Sequence, residues 1–231
     1  MFAGHIGAGM AIARAERRVN VGVFVLAAVL LDVVLWLLVL LGWESVTIPA
    51  NFQSTHQPEF VFPWSHGLLA SVAWSVLAGA AIYYGYPGLN RDRLRAAGLV
   101  AAAVFSHWLL DALVHAPELP LAGDGSAKVG LALWNNLPVA LVVESLIALA
   151  GLWMFVSGAR LPRARKAWLA VLSVLALAGT LAGMTAAPAP PSATAMAASS
   201  LVTLALVGAW ACWLGRRPGT KQADAGSAAA L

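Results

Sequence analysis

Six apolar stretches, each long enough to cross a bilayer, constrain this chain more than any other feature. A spanning helix needs about 20 mainly apolar residues, and residues 21–43, 64–86, 96–115, 129–156, 167–187 and 195–214 all meet that length. Turn-forming residues separate them: Tyr86-Pro87-Gly88, Ala116-Pro117, and the proline-rich residues 188–191. Composition agrees. Hydrophobic residues make up 61% of the chain and charged ones only 10%, against roughly 25% charged in a soluble domain. Too few polar groups remain to cover a water-facing surface, which excludes a soluble enzyme, a disordered chain and a secreted disulfide scaffold. Cys212 is the single cysteine, so no intrachain disulfide forms. The expected fold is an all-α polytopic membrane bundle of six spans.

The basic residues orient the bundle. One set of span ends carries Arg14, Arg17, Arg18, Arg91, Arg93, Arg95, Arg160, Arg163, Arg165, Lys166, Arg216, Arg217 and Lys221; the opposite set carries only Lys128. The positive-inside rule then predicts that both termini are cytoplasmic, in a bacterial inner membrane. The small net charge of +4 is explained by these anchors, and nucleic acid is not an expected partner. Residues 1–13 are apolar, rich in small residues and too short to span; an interfacial or re-entrant helix is expected there. No basic region precedes them, so a cleaved signal peptide is not expected. Residues 1–157 read as a helical core, residues 158–214 as two additional scaffold spans, and residues 215–231 as a disordered cytoplasmic tail.

Ionisable side chains at membrane depth are costly and mark function by default. Here they are Asp32, His66, His107, Asp111, His115 and Glu144, all in the first four spans. His107, Asp111 and His115 repeat every four residues, so each is turned only about 40° from the last and all share one helix face. A His and an Asp one turn apart can chelate a cation, or the Asp can orient a metal-bound imidazole. Hydrogen bonding across packed helices is the structural alternative. Counting about 1.5 Å per residue puts His107 roughly 18 Å, Asp111 24 Å and His115 30 Å from Arg95. Asp32 and Glu144 fall roughly 20 Å and 24 Å from Arg18 and Arg160, and a folded-back N-terminal helix brings His5 beside Asp32. The polar groups thus share the middle-to-outer half of the bundle. His56 and Glu59 lie in the outer loop, residues 44–63, where solvation accounts for them equally well. Trp134-Asn135-Asn136 either offers amides to a substrate or begins a helix.

Read in order, Gly4-His5, Leu30-Leu31-Asp32, Pro63-Trp64-Ser65-His66 and Ser106-His107-Trp108-Leu109-Leu110-Asp111 resemble the YdjM-like (DUF457) family of membrane-bound metal-dependent hydrolases. A subgroup of bacterial membrane proteins is closer still, with segments similar to residues 115–121 and 128–135. The resemblance covers residues 1–155. It implies a divalent metal held by His5, Asp32, His66, His107 and Asp111. Val33 and Val34 stand where the family has a second aspartate, and Phe62 where it has an additional histidine; His115 is available as a partial replacement.

Three functions are open at this point. The first is a hydrolase of a lipid or lipid-linked ester, with metal ligands His5, Asp32, His66, His107, Asp111 and His115, and with Asp111 or Glu144 as general base. Imidazole and carboxylate together favour zinc, with manganese or iron compatible. The second is an accessory or assembly subunit of a larger membrane complex. The third is an ion-coupled transporter, disfavoured because no pair of Gly/Pro-broken spans recurs in corresponding halves. Membrane lipids, and in the second case other subunits, are the expected partners.

Overall fold

A computed structural model describes residues 1–216. The basic residues Arg217 and Lys221 and most of the expected tail lie outside the described residues. The chain forms nine α-helices among the described residues, with two 3₁₀ turns (Asn90–Asp92 and Leu133–Asn136): α1 (Phe2–Ala13), α2 (Val21–Ala28), α3 (Leu30–Leu40), α4 (Phe52–Thr55), α5 (Leu68–Gly85), α6 (Arg93–Val114), α7 (Leu137–Gly158), α8 (Arg163–Thr185) and α9 (Ala193–Leu214). Two short antiparallel pairs complete it: β1 (Ser45–Thr47) with β2 (Glu59–Val61), and β3 (Leu119–Pro120) with β4 (Lys128–Val129). The fold is therefore an all-α bundle. Helices α5 to α9 are each long and apolar enough to cross a membrane, and α2 with α3 makes a sixth span if the bent pair is counted as one.

That pair corrects the continuous helix expected over residues 21–43. The chain bends by 51° between α2 and α3, at Val29, whose φ of −111° and ψ of 11° leave the helical region. Neither glycine nor proline marks the site. The cause is tertiary: His107 Nδ1 lies 2.7 Å from the Ala28 carbonyl, which an unbroken helix would spend on the amide of Asp32. A side chain inserted into the i→i−4 ladder is a recognised origin of kinks.

The fourth span also starts later than expected, at Leu133 rather than at residue 129, with a 3₁₀ turn (Leu133–Asn136) leading into α7. The intervening residues fold back over the end of α6. Leu131 N donates to Ala112 O at 2.8 Å, and Ala132 N to His115 O at 2.7 Å. Gly130 makes this possible. Its φ is +158°, and a Cβ there would run into the carbonyl oxygens of His115 and Ala116. Pro138 and the Asn136 side chain, which accepts from Val139 N, then start α7.

Helix α1 is not an interfacial ribbon. It is inserted in the bundle against α2, α6, α7 and α8, and Ile6 and Met10 are fully buried. Glycines permit the approach: a Cβ on Gly7 would meet Ala148 Cα and Ile147 O, and one on Gly151 would meet the Gly7 carbonyl. The helix is thus folded back into the bundle rather than laid along its outside.

Basic loops gather at one end. Arg95 donates to the Ala15 carbonyl at 2.8 Å, Arg18 pairs with Glu16 and Asp92, and Arg14 lies against Gly158. The strand pairs occupy the α3–α5 and α6–α7 connections, with Leu69 N donating to Leu121 O at 3.0 Å.

Candidate metal centre

Helix α6 supplies the base of the site. His107 and Asp111, one turn apart, are both buried, with His107 Nε2 3.1 Å from Asp111 Oδ2. His66, just before α5, brings its Nε2 to 3.1 Å from His107 Nε2 and 3.4 Å from Asp111 Oδ2. Asp32, in the first turn of α3, reaches in from the helix break; its Oδ1 is 3.7 Å from His66 Nε2 and 3.6 Å from His107 Nε2. His5, carried in by α1, lies 3.0 Å from Asp111 Oδ1 through Nε2 and stacks on His107 with ring centroids 3.7 Å apart. The α-amino nitrogen of Met1 is 3.5 Å from the same Asp111 oxygen.

Outer hydrogen bonds decide which ring nitrogens face inward. The Ala28 carbonyl can only accept, so His107 donates Nδ1–H to it and keeps a lone pair on Nε2 when neutral. The Ser65 hydroxyl spends its one proton on Glu44 Oε2 at 2.7 Å. Ser65 Oγ therefore accepts from His66 Nδ1–H at 2.8 Å, and His66 Nε2 also carries a lone pair inward. His115 repeats the pattern: its Nδ1 lies 2.5 Å from Glu118 Oε1, and its Nε2 is 3.8 Å from Asp111 Oδ2. Ring nitrogens held from outside by a carboxylate, carbonyl or hydroxyl are the usual second shell of metal-bound histidines.

Two neutral imidazole lone pairs 3.1 Å apart, with Asp111 Oδ2 and Asp32 Oδ1 beside them, form a set of acceptors with no donor among these four atoms. Only a proton or a cation between them relieves the repulsion. The spacing suits a cation. Ligands about 2.0–2.1 Å from zinc in a tetrahedron stand roughly 3.3–3.4 Å apart, and the His66–His107–Asp111 triangle has edges of 3.1, 3.4 and 3.1 Å. Among the described residues, two groups of three ligand atoms are close enough to hold an ion: His66, His107 and Asp111, and His5, Asp32 and His107. They share His107, whose single free lone pair serves one of them at a time. The Nδ1 atom of His5 is buried without a hydrogen-bond partner.

The other sequence candidates are placed as follows. His115 adjoins the cluster through Asp111 but belongs to neither group, and its ring packs on Trp134, with centroids 4.3 Å apart. Glu144 of α7 accepts from Gly4 N at 3.2 Å, a carboxylate at the positive end of α1. Phe62 lies fully buried against His66, with centroids 4.8 Å apart. Asn136 caps α7, and the Trp134 carbonyl accepts from Gln57 Nε2 at 3.3 Å.

A cavity of about 1080 Å³ opens from the cluster. Asp32, His66, Asp111, His115 and Glu144 line it together with loop and aromatic side chains such as Trp36, His56, Phe62 and Trp134, and α8 and α9 supply a further wall. The last two helices, read from sequence as scaffold, are thus a cavity wall as well. Glu44 was overlooked in the sequence because nothing local singles it out. It is buried, and one carboxylate oxygen accepts from both Trp64 N and Ser65 N at 2.8 Å. Glu118 had a usable signal, its spacing of three residues from His115.

Fold and site together define a class: an apolar helical bundle able to span a membrane, enclosing His and Asp groups able to hold a metal ion. Comparison with protein-family models, curated proteins and solved structures finds no match.

Proposed function

We propose that the chain is a multi-pass metalloprotein of the bacterial inner membrane, with cytoplasmic termini, that hydrolyses an ester of a lipid or lipid-linked substrate. The observation that carries this is the convergence of His66 Nε2, His107 Nε2 and Asp111 Oδ2, with His66 and Asp111 lining a large, mainly apolar cavity. Two imidazoles with carboxylates suit zinc best, with manganese or iron compatible. When bound, such an ion supplies a Lewis acid and an activated water near neutral pH. The chain's own residues do the rest. Ser65 with Glu44, and the Ala28 carbonyl, hold the two rings in the ligating tautomer. Asp32 is the nearest carboxylate for a further ligand position, and His5 steadies Asp111 through Oδ1. Asp111 is committed to the cluster, which leaves Glu144, facing the same cavity and bonded to Gly4 N through one oxygen only, as the carboxylate to take a proton from water.

The ordered motifs from Gly4-His5 to Asp111 support kinship with the YdjM-like hydrolases. An accessory-subunit role is the second reading, favoured by Phe62, which fills with an apolar ring the place where the resembled family has a histidine. Lipid-ester turnover by detergent-purified protein tests the choice. Hydrolysis lost on chelation, restored by zinc and absent in His107→Ala supports the enzyme. No turnover, with a stoichiometric protein partner retained at low detergent, supports the subunit.

A further inference from the structure

Thr180 lines the cavity with a buried hydroxyl that has no hydrogen-bond partner. Elsewhere in the helices such hydroxyls donate to the carbonyl one turn back, Ser145 to Leu141, Ser173 to Leu169 and Thr203 to Ser199. Thr180 is not turned that way, although it is only 9% exposed and a buried hydroxyl left unpaired is costly. Its depth follows from the packing of α1 on α8. The two run in opposite directions, α1 from the cluster to the basic end and α8 from the basic end outward, and Ser173 Oγ meets Met10 Sδ at 3.8 Å. Seven residues on from Ser173 and seven back from Met10, roughly 10 Å by helical rise, Thr180 comes level with Ala3. Met1 and Phe2 beside it line the same cavity, and the Met1 nitrogen is 3.5 Å from Asp111 Oδ1. The free hydroxyl therefore stands on the inward side of α8 at the cluster's own depth.

Charge narrows what can lie between them. Asp32, Asp111 and Glu144 line the cavity, and no lysine or arginine among the described residues does. The cationic nitrogen there, on Met1, is already beside Asp111. A divalent cation at the cluster would no more than offset these carboxylates. An anionic headgroup would then be buried without a partner, at high cost. A neutral headgroup carries no such penalty, and one with hydroxyls can accept from Thr180.

We infer that the site takes a lipid ester whose polar part is an uncharged polyol such as glycerol, with a polyol oxygen accepting from Thr180 Oγ1 and the ester toward His66 and Asp111. That the guest is an ester rests on the hydrolase reading; that its polar part is a neutral polyol rests on Thr180 and the charges alone.

The test uses the full-length, detergent-purified protein with zinc added and tritiated dioctylglycerol, a diether that hydrolysis cannot consume. Displacement of the label is measured with the unlabelled diether and with its methyl phosphate diester, which has the same chains and an anionic headgroup. Reading displacement alone leaves out phosphate held at the basic end. The polyol should displace at least about tenfold better than the phosphate diester. Thr180→Val, close to threonine in volume, should weaken polyol binding about three- to tenfold, and Thr180→Ser should restore it. The deoxy diether, without the free hydroxyl, should bind wild type and Thr180→Val alike. In turnover of the matching dioctanoyl ester, Thr180→Val should raise KM by the same factor and leave kcat unchanged. Equal displacement by the phosphate diester, polyol binding unchanged in Thr180→Val, or no saturable polyol binding overturns the inference. Polyol binding that depends on Thr180 in a protein that hydrolyses no ester upholds the polyol site and sinks the enzyme instead.

Discussion

Replacing Glu44 by Gln changes one atom type outside the cluster and should weaken metal binding inside it. The carboxylate accepts three hydrogen bonds: from Trp64 N and Ser65 N at Oε1, each at 2.8 Å, and from Ser65 Oγ at Oε2, at 2.7 Å. An amide cannot reproduce this set. With its NH₂ toward the two backbone amides, donor meets donor twice, losing bonds to a charged acceptor worth about 1.5–3 kcal/mol each. With its NH₂ toward Ser65, the hydroxyl must turn its proton away, and the natural alternative acceptor is His66 Nδ1, 2.8 Å distant. His66 then carries its proton on Nε2, pointing into the cluster, and stops being a ligand until it retautomerises. Loss of such an outer partner typically costs 10–100-fold in metal affinity, or about 1.4–2.8 kcal/mol. Competitive chelator titration of the detergent-purified protein measures it. Ser65→Ala should show a similar loss, and the double variant should be little worse than either single one, because all act through one ring. Unchanged zinc affinity in a folded Glu44→Gln protein would refute the tautomer argument.

Three other outcomes follow from the packing and charges. Gly7→Ala drives a methyl into the α7 backbone at Ala148; a loss of about 1–3 kcal/mol, read as a lower Tm in detergent, is expected, with reduced metal content because His5 rides on the same helix. Glu16, at the basic end, is held below its ordinary value of 4.5 by its hydrogen bonds from Arg18. Its folded-state value is depressed, so its contribution, about 1 kcal/mol given the half-exposed arginine, is present above the unfolded value and disappears as pH falls through the folded one. The stability gap between wild type and Glu16→Gln should therefore be full at pH 7 and close below about pH 4.5; a gap independent of pH contradicts the pairing. Glu144→Gln should lower turnover while leaving metal content intact, checked by single-turnover kinetics beside elemental analysis.

Membrane spans were legible because a bilayer demands about 20 apolar residues from any helix crossing it. The His107–Asp111 pair was legible because helical periodicity alone puts both on one face. Depth counting allows His5 beside Asp32 only if residues 1–13 fold inward, and that folding, set by α1 packing on α7 and α2, is not legible in the sequence. The break at Val29 was illegible: its residues are helix-compatible, and the kink is made by a histidine 78 residues further on. Glu44 was equally hidden, because its importance comes from three hydrogen bonds to a segment 20 residues away, closed by a loop without a motif. Gly130 and Pro138 did mark the shortened start of α7, yet the apolar residues between them masked the signal.

Bound metal is the most direct test of the central claim. Protein purified in mild detergent without chelators should carry one equivalent of a divalent cation per chain. X-ray absorption should give nitrogen and oxygen ligands at about 2.0–2.2 Å, and both signals should vanish in His107→Ala and fall sharply in Asp111→Asn. A folded wild-type protein with no stoichiometric cation, unchanged when zinc, manganese or iron is offered, would mean that a shared proton, not a metal, bridges His66 and His107.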